Sequence, residues 1–101
     1  MPDFVKVASV SDVPPGKVKE VTANGKTIAL CNVNGTFFAV DNFCSHRGGP
    51  LSEGYLDKDK VECPWHGWRF DVKTGMTNAN PGMGVPTYEV KIEGGDVLVM
   101  V

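Results

Sequence analysis

Short runs of alternating apolar and polar residues, separated by turns, dominate the first 41 residues of the chain. The alternation predicts strands at residues 4–8, 17–22, 26–32 and 36–41. Asn24-Gly25 and Asn34-Gly35 lie between three of these strands. Such pairs favour two-residue hairpins, because both central residues of a type I′ turn need a positive φ. No window of ten or more residues has helical periodicity, so the sequence predicts an all-β fold.

The C-terminal end of the chain repeats this pattern. Tyr88, Val90 and Ile92 alternate with charged residues, which predicts one half-buried strand. A glycine turn at 94–96 and a last strand at 97–101 follow.

The middle of the chain, residues 43–86, has a different composition. It contains four of the seven prolines, two of the three cysteines and both histidines. The strand signal shrinks there to short pieces at 60–62 and 68–72. We therefore expect a single domain over residues 1–101, in which a loop-rich subdomain of about 43–86 is inserted in a β scaffold.

Composition excludes several classes of function. Ten basic and twelve acidic residues give a net charge of −2. The sequence has no run of basic residues, so we do not expect nucleic acid as a partner. No apolar stretch is long enough to span a membrane, and the N-terminus lacks the apolar core of a signal peptide. These features predict a cytoplasmic protein, and in that reducing compartment cysteines bind metals or do chemistry more often than they form disulfides.

Two short segments contain residues that bind metals. Cys44 and His46 lie in the first, and Cys63 and His66 in the second, with residues 47 to 62 between them. Two thiolates and two imidazoles could hold tetrahedral zinc or a two-iron, two-sulfide cluster in which the cysteines bind one iron and the histidines the other. Neighbouring glycines favour the cluster, since they let backbone amides approach its sulfur atoms; they are Gly48, Gly49 and Gly67.

The paired motif and its neighbours resemble the signature of Rieske proteins. Cys-Ser-His-Arg-Gly-Gly-Pro-Leu begins at Cys44, and Cys-Pro-Trp-His-Gly begins at Cys63, with Phe70-Asp71 after it. The chain is most similar to the stand-alone Rieske ferredoxins of bacterial ring-hydroxylating dioxygenase systems. The resemblance implies three small antiparallel sheets, with a cluster-binding subdomain that presents the histidines at a tip. It also implies one [2Fe–2S] cluster on Cys44, His46, Cys63 and His66.

The resemblance also implies a set of residues around the cluster. Residues 80–86 resemble the proline loop that covers the cluster in this family. Compared with respiratory and photosynthetic Rieske proteins, the chain lacks the two extra cysteines of the loop disulfide, and the serine and tyrosine that donate hydroxyl hydrogen bonds to the cluster. The expected neighbours of the cluster, several of them at those positions, are Arg47, Gly48, Gly49, Trp65, Gly67, Trp68, Phe70 and Pro81.

By this resemblance the chain carries single electrons and is not itself an enzyme. We expect a monomer that takes electrons from a ferredoxin reductase and passes them to a terminal oxygenase, docking transiently at the cluster tip. Three alternatives stay open: a small Rieske subunit of an assimilatory nitrite reductase, a carrier for a monooxygenase, and a structural zinc module. Cys31 lies in a predicted strand, and we interpret it as a buried apolar residue with no metal role.

Overall fold

The computed structural model of the chain describes residues 4–42, 50–64, 69–77 and 84–101. Within these ranges the backbone forms ten β-strands and two 3₁₀ helices, the latter at Val10–Asp12 and Leu51–Glu53. The strands are β1 (Phe4–Ser9), β2 (Val18–Ala23), β3 (Lys26–Val33), β4 (Thr36–Asp41), β5 (Tyr55–Asp57), β6 (Lys60–Glu62), β7 (Arg69–Asp71), β8 (Thr87–Tyr88), β9 (Val90–Glu93) and β10 (Asp96–Met100).

The strands form three antiparallel sheets, as the sequence predicts. The first sheet has the order β1-β10-β9, and the second, central sheet has the order β2-β3-β4-β8. The third sheet, β5-β6-β7, is a meander of three-residue strands within the middle of the chain. None of the described helices is long and apolar enough to cross a membrane.

Both predicted Asn-Gly hairpins are present in the central sheet. Asn24 and Gly25 have φ values of 49° and 75°, and Asn34 and Gly35 have values of 51° and 92°. The left-handed conformation at both turn positions matches the twist of the flanking strands. These turns bring β2, β3 and β4 into register, with Cys31 opposite both Val18 and Phe38.

The central sheet separates two hydrophobic cores. In β3, Ile28 and Leu30 belong to a first core, which also contains Val97 and Val99 of β10. The intervening residues Ala29 and Cys31 point to the opposite face and belong to a second core. The second core is completed by Val40, Leu51, Val61, Cys63, Phe70, Val72 and Val85.

The predicted single strand near the C-terminus is divided between two sheets. Residues Thr87–Tyr88 pair with β4 of the central sheet, whereas Val90–Glu93 pair with β10 of the first sheet. The chain passes from one sheet to the other at Glu89, whose carbonyl accepts a hydrogen bond from Met100 N. The expectation of one continuous strand was therefore wrong. The expectation of half-burial was also wrong at the end of β9, where Ile92 is 49% exposed.

Three short elements are not predicted by the sequence pattern. The strand β5 and both 3₁₀ helices have only three residues each, which is too short to show a period. The predicted strand at 68–72 is found as Arg69–Asp71, and the one at 60–62 is found as Lys60–Glu62. The third sheet therefore lies where the sequence shows mainly loops.

Candidate metal centre

Two of the twelve predicted site residues lie within the described residues, Cys63 and Phe70. The other ten lie outside them: Cys44, His46, Arg47, Gly48, Gly49, Trp65, His66, Gly67, Trp68 and Pro81. They fall in three segments, 43–49, 65–68 and 78–83. The structure describes the residues that bound each segment, and these determine what the fold can offer to a metal.

Cys63 follows β6 directly and is 1% exposed. Its side chain packs in the second core, with Val61 before it and Phe70 of the neighbouring strand. The thiol is free rather than part of a disulfide. A thiolate in such an apolar environment needs a cationic partner, because an uncompensated buried charge is costly.

Asn42 lies immediately before the first segment, 43–49. It follows β4, and its side chain is fully buried. Its backbone carbonyl accepts a hydrogen bond from Leu51 N, and its Oδ1 accepts one from Ser52 N at 2.8 Å. Its Nδ2 donates to Glu20 Oε1 of β2 at 3.1 Å. One residue thus ties both sides of the segment that contains Cys44 and His46 to the central sheet.

Gly54 lies against the backbone that leads into Cys63. A Cβ atom at this position would be 1.8 Å from the carbonyl oxygen of Glu62 and 3.1 Å from Cδ of Pro64. Only a residue without a side chain permits this approach. The 3₁₀ helix Leu51–Glu53 thus lies between Asn42, which accepts a hydrogen bond from its first amide, and Gly54, which packs against the backbone before Cys63.

Ion pairs fasten the strands on either side of the second segment, 65–68. Arg69 Nε donates to Glu62 Oε1 at 3.0 Å, and Lys60 Nζ donates to Asp71 Oδ2 at 2.8 Å. Burial on its own would raise the pKa of Asp71, but hydrogen bonds from Lys60 and from Lys73 N, together with the lysine charge, lower it. The two pairs join β6 to β7 at both ends of their short ladder.

The third segment, 78–83, is bounded by a close contact between two backbone stretches. Gly75 has a φ of +77°, and a Cβ atom there would be 2.0 Å from the carbonyl oxygen of Val85. Val85 N donates to Gly75 O at 2.8 Å, and Met76 forms a bridge with Gly84. The predicted cover loop at 80–86 thus lies outside the described residues except for Gly84, Val85 and Pro86.

A comparison with protein-family models decides the family. Residues 3–89 match the Rieske [2Fe–2S] domain. The chain belongs to the Rieske [2Fe–2S] family.

Relatives over nearly the whole length are ferredoxin components. The chain is 44% identical over 97 residues to the ferredoxin component of biphenyl 2,3-dioxygenase from Rhodococcus jostii strain RHA1, which covers 95% of this chain and 91% of the relative. It is 41% identical over 98 residues to the ferredoxin component of the naphthalene 1,2-dioxygenase/salicylate 5-hydroxylase systems of a Ralstonia species, with 96% and 94% covered.

Solved Rieske structures share the fold. The ferredoxin of Sphingomonas yanoikuyae B1 superposes with a TM-score of 0.89 at 35% identity, covering 98% of this chain and 99% of that one. A chain from the complex of reduced oxygenase and oxidized ferredoxin in carbazole 1,9a-dioxygenase gives 0.88 at 37% identity, covering 96% of this chain and 92% of that one. A protein described as an NADH-dependent nitrite reductase small subunit from Mycobacterium tuberculosis gives 0.91 at 21% identity, covering 100% and 96%, which shows the fold alone.

The described residues fit a Rieske cluster. The family binds its irons through two thiolates and two imidazoles, and the sequence supplies both kinds of ligand in the two segments. Cys63 offers a buried thiol in a core that excludes water. Phe70 is fully buried and has no hydroxyl group to donate to a sulfur atom, as its identity predicts.

Cys31 is buried, as predicted from its position in a strand. It has no exposed surface, and desolvation raises the pKa of its thiol to about 12. The structure adds that Cys31 belongs to the same core as Cys63, although the two are far apart in sequence. The neutral thiol is strongly favoured there, which makes Cys31 a poor nucleophile.

Sequence reasoning missed Asn42, which bounds the first segment, and Gly54, which packs against the backbone before Cys63. A signal for Asn42 is its position at the end of a predicted strand, since a polar residue between apolar strand and loop often caps a turn. No local signal distinguishes Gly54 from the other glycines of the middle region, because its partner is eight residues away in another strand.

Proposed function

We propose that this chain is a Rieske ferredoxin that accepts single electrons from a reductase and passes them to the terminal oxygenase of a ring-hydroxylating dioxygenase system. The observation that carries the proposal is the family match over residues 3–89, together with relatives at 41% and 44% identity that are ferredoxin components of such systems. The chain transforms no substrate. When bound, the cluster supplies a centre that gains and loses one electron.

We assign one cluster to the chain, with Cys44 and Cys63 on one iron and His46 and His66 on the other. The pairing of one cysteine and one histidine in each segment supports the assignment. The position of Cys63 directly after β6, next to the second segment, supports it further. The surrounding residues are given the roles that the resemblance implies, with amides of Gly48, Gly49 and Gly67 directed at the cluster.

Residues 1–101 are proposed to form one Rieske domain, with residues of about 43–86 as the cluster-binding subdomain. The third sheet and most of the second core come from that part of the chain, which supports the division. Partners are proposed to dock transiently at the tip around Arg47 and Pro81, with Trp65 and Trp68 close to the cluster. We also propose that the protein is a monomer and lies in the cytoplasm.

Two assays test the proposal. Anaerobically purified protein should contain equal amounts of iron and acid-labile sulfide, and reduction should bleach its visible absorbance and produce a Rieske-type electron paramagnetic resonance (EPR) spectrum. Zinc in place of iron would show a structural zinc module instead. Stopped-flow mixing of the reduced protein with the oxidised terminal oxygenase of a biphenyl dioxygenase should reoxidise it rapidly.

Variants at the cysteines provide the control for the ligand assignment. Cys63→Ala should abolish the EPR spectrum, whereas Cys31→Ala should retain it, because Cys31 lies within β3 and outside both segments. A cluster that survives Cys63→Ala but not Cys31→Ala would refute the assignment. Rapid electron transfer to a nitrite reductase, with none to any oxygenase, would refute the proposed partner.

A further inference from the structure

We propose that Asn42 and Gly54 are positioning residues that, through the 3₁₀ helix between them, fix the backbone on either side of the first ligand segment relative to the backbone at Cys63. The inference rests on the proposed function, because it takes Cys44, His46, Cys63 and His66 as the ligands. Neither residue is in the predicted ligand set: Asn42 lies immediately before the first segment, and Gly54 lies against the backbone that leads into Cys63.

Asn42 holds the backbone on both sides of the first segment. It is the last described residue before the segment that contains Cys44 and His46, and its side chain has no exposed surface. Two acceptors on this residue, its backbone carbonyl and its Oδ1, bind successive amides of Leu51 and Ser52. Asn42 N in turn donates to Thr27 O of β3 at 3.1 Å. The two sides of the segment are therefore held together and fixed to the central sheet.

Gly54 packs the other end of the helix against the backbone before Cys63. It follows the 3₁₀ helix, and its Cα hydrogens face the carbonyl of Glu62, the residue immediately before Cys63. Leu51, at the start of the same helix, is fully buried in the core that contains Cys63. Movement of the helix would therefore disturb either its hydrogen bonds to Asn42 or its contact with Glu62, the residue before Cys63.

The side-chain hydrogen bond to Glu20 extends the arrangement to β2. Asn42 Nδ2 donates to Glu20 Oε1, and Glu20 itself is on the exposed side of its strand. Every polar atom of the Asn42 side chain is thus used within the fold. A buried asparagine that served only to satisfy a turn would not need partners on three separate elements.

Asn32 provides the matched comparison. It is also a buried asparagine, 3% exposed, with Nδ2 donating to Val13 O at 2.7 Å and Oδ1 accepting from Gly35 N at 2.7 Å. Its partners lie at the Asn34-Gly35 hairpin and at the turn before β2, and neither adjoins a ligand segment. Asn32→Ala and Asn42→Ala therefore remove similar interactions from different places.

A small displacement of the ligand segments should be measurable at the cluster. Residues that orient metal ligands typically change metal affinity by about 10- to 100-fold when mutated. Loss of Asn42 Oδ1 would leave Ser52 N without its acceptor and release one side of the first segment. The irons would then be held in a less defined geometry, which changes both their retention and their magnetic spectrum.

The experiment compares holo-protein variants in three measurements: the rate of cluster loss to a ferrous chelator, the EPR g values of the reduced state, and the unfolding free energy. Asn42→Ala should lose its cluster about 10- to 100-fold faster than the unmodified protein and show shifted g values. Gly54→Ala should act in the same direction. Asn32→Ala should lower the unfolding free energy to a similar extent, with the g values and the cluster-loss rate unchanged.

Glu20→Ala provides a second test in which no buried residue is replaced. Because Glu20 is exposed, its removal frees only Asn42 Nδ2, and cluster loss should accelerate by a smaller factor, while Glu20→Gln keeps the acceptor and the original rate. Equal rates for Asn42→Ala and Asn32→Ala, or an unchanged rate in Glu20→Ala, would overturn the inference. If instead the unmodified protein lacks a Rieske spectrum, the proposed function fails before any variant is compared.

Discussion

Replacing Gly75 by alanine should destabilise the protein far more than the same replacement at Gly25. The two glycines have nearly the same backbone conformation, with φ values of +77° and +75°. They differ in their surroundings. A Cβ atom at Gly25 would meet nothing within 4 Å, whereas at Gly75 it would be 2.0 Å from Val85 O and 3.1 Å from Thr87 Cγ2.

The expected magnitudes follow from these contacts. A left-handed alanine costs about 1–2 kcal/mol at either position, and loss of glycine's freedom in the unfolded chain offsets roughly 0.4–1 kcal/mol of that. Gly25→Ala should therefore lower the unfolding free energy by about 1 kcal/mol. At Gly75 the overlap must also displace Val85, which breaks its 2.8 Å hydrogen bond to Gly75 O. An unsatisfied buried amide adds about 1–3 kcal/mol, and repacking adds a similar amount.

Denaturant unfolding of both variants measures the difference, with fluorescence and the visible spectrum of the cluster as separate probes. We expect Gly75→Ala to lose roughly 3–7 kcal/mol, a large part of the 5–15 kcal/mol typical of a small protein. It should also perturb the cluster spectrum, since Gly75 and Val85 flank the 78–83 segment. Equal losses for the two variants would refute the reasoning, because they would show that the contact with Val85 adds nothing to the backbone strain.

Three further predictions concern the metal centre and its supports. Cys31→Ala should leave the EPR spectrum unchanged, and Cys31 should resist alkylation at pH 8 in the folded protein, because burial raises the pKa of its thiol to about 12; rapid native-state alkylation would contradict this. The pKa of Asp71 is lowered in the fold, so its carboxylate stabilises the protein above the unfolded-state value near 4 and loses this effect as pH falls further. The difference in unfolding free energy between the unmodified protein and Asp71→Asn should accordingly shrink in acid, and a difference that grew below that pH would be the wrong sign. With Phe70 at the position of a hydroxyl donor, the reduction potential should lie near the low end of the Rieske range, about −150 to −100 mV, and should fall as pH rises above the pKa of the histidine ligands; protein-film voltammetry giving a midpoint above about +100 mV would contradict it.

Local sequence signals predicted the scaffold well because its strands are joined by short turns. Asn24-Gly25 and Asn34-Gly35 encode their own backbone conformation, and the pairing of β2, β3 and β4 follows from them. By contrast, nothing local separates β8 from β9. The alternation of apolar and charged residues from Tyr88 to Ile92 would be the same in one strand as in two. Only the pairing of β8 with β4 and of β9 with β10 separates them.

The sequence names candidate ligands because the chemistry restricts their residue types and spacing, and this assignment stays a prediction. The residues that hold the ligand segments could not be predicted, because their roles depend on contacts between distant parts of the chain. Asn42 acts through Ser52 and Glu20, and Gly54 acts through the carbonyl of Glu62. An asparagine and a glycine are common residues in loops, so their identity alone indicates a turn and not its partners.

The run from Ile28 to Cys31 contributes to both hydrophobic cores, so one strand supports the scaffold and the metal centre. Its side chains are apolar on both faces, which is typical of a strand that is covered on both sides. Ile28 and Leu30 face the core shared with β10, whereas Ala29 and Cys31 face the core that contains Cys63. A cavity in the first core, such as Val97→Ala would create, should therefore lower the unfolding free energy without changing a neighbour of Cys63. Stability and cluster geometry should respond separately to changes on the two faces of this one strand.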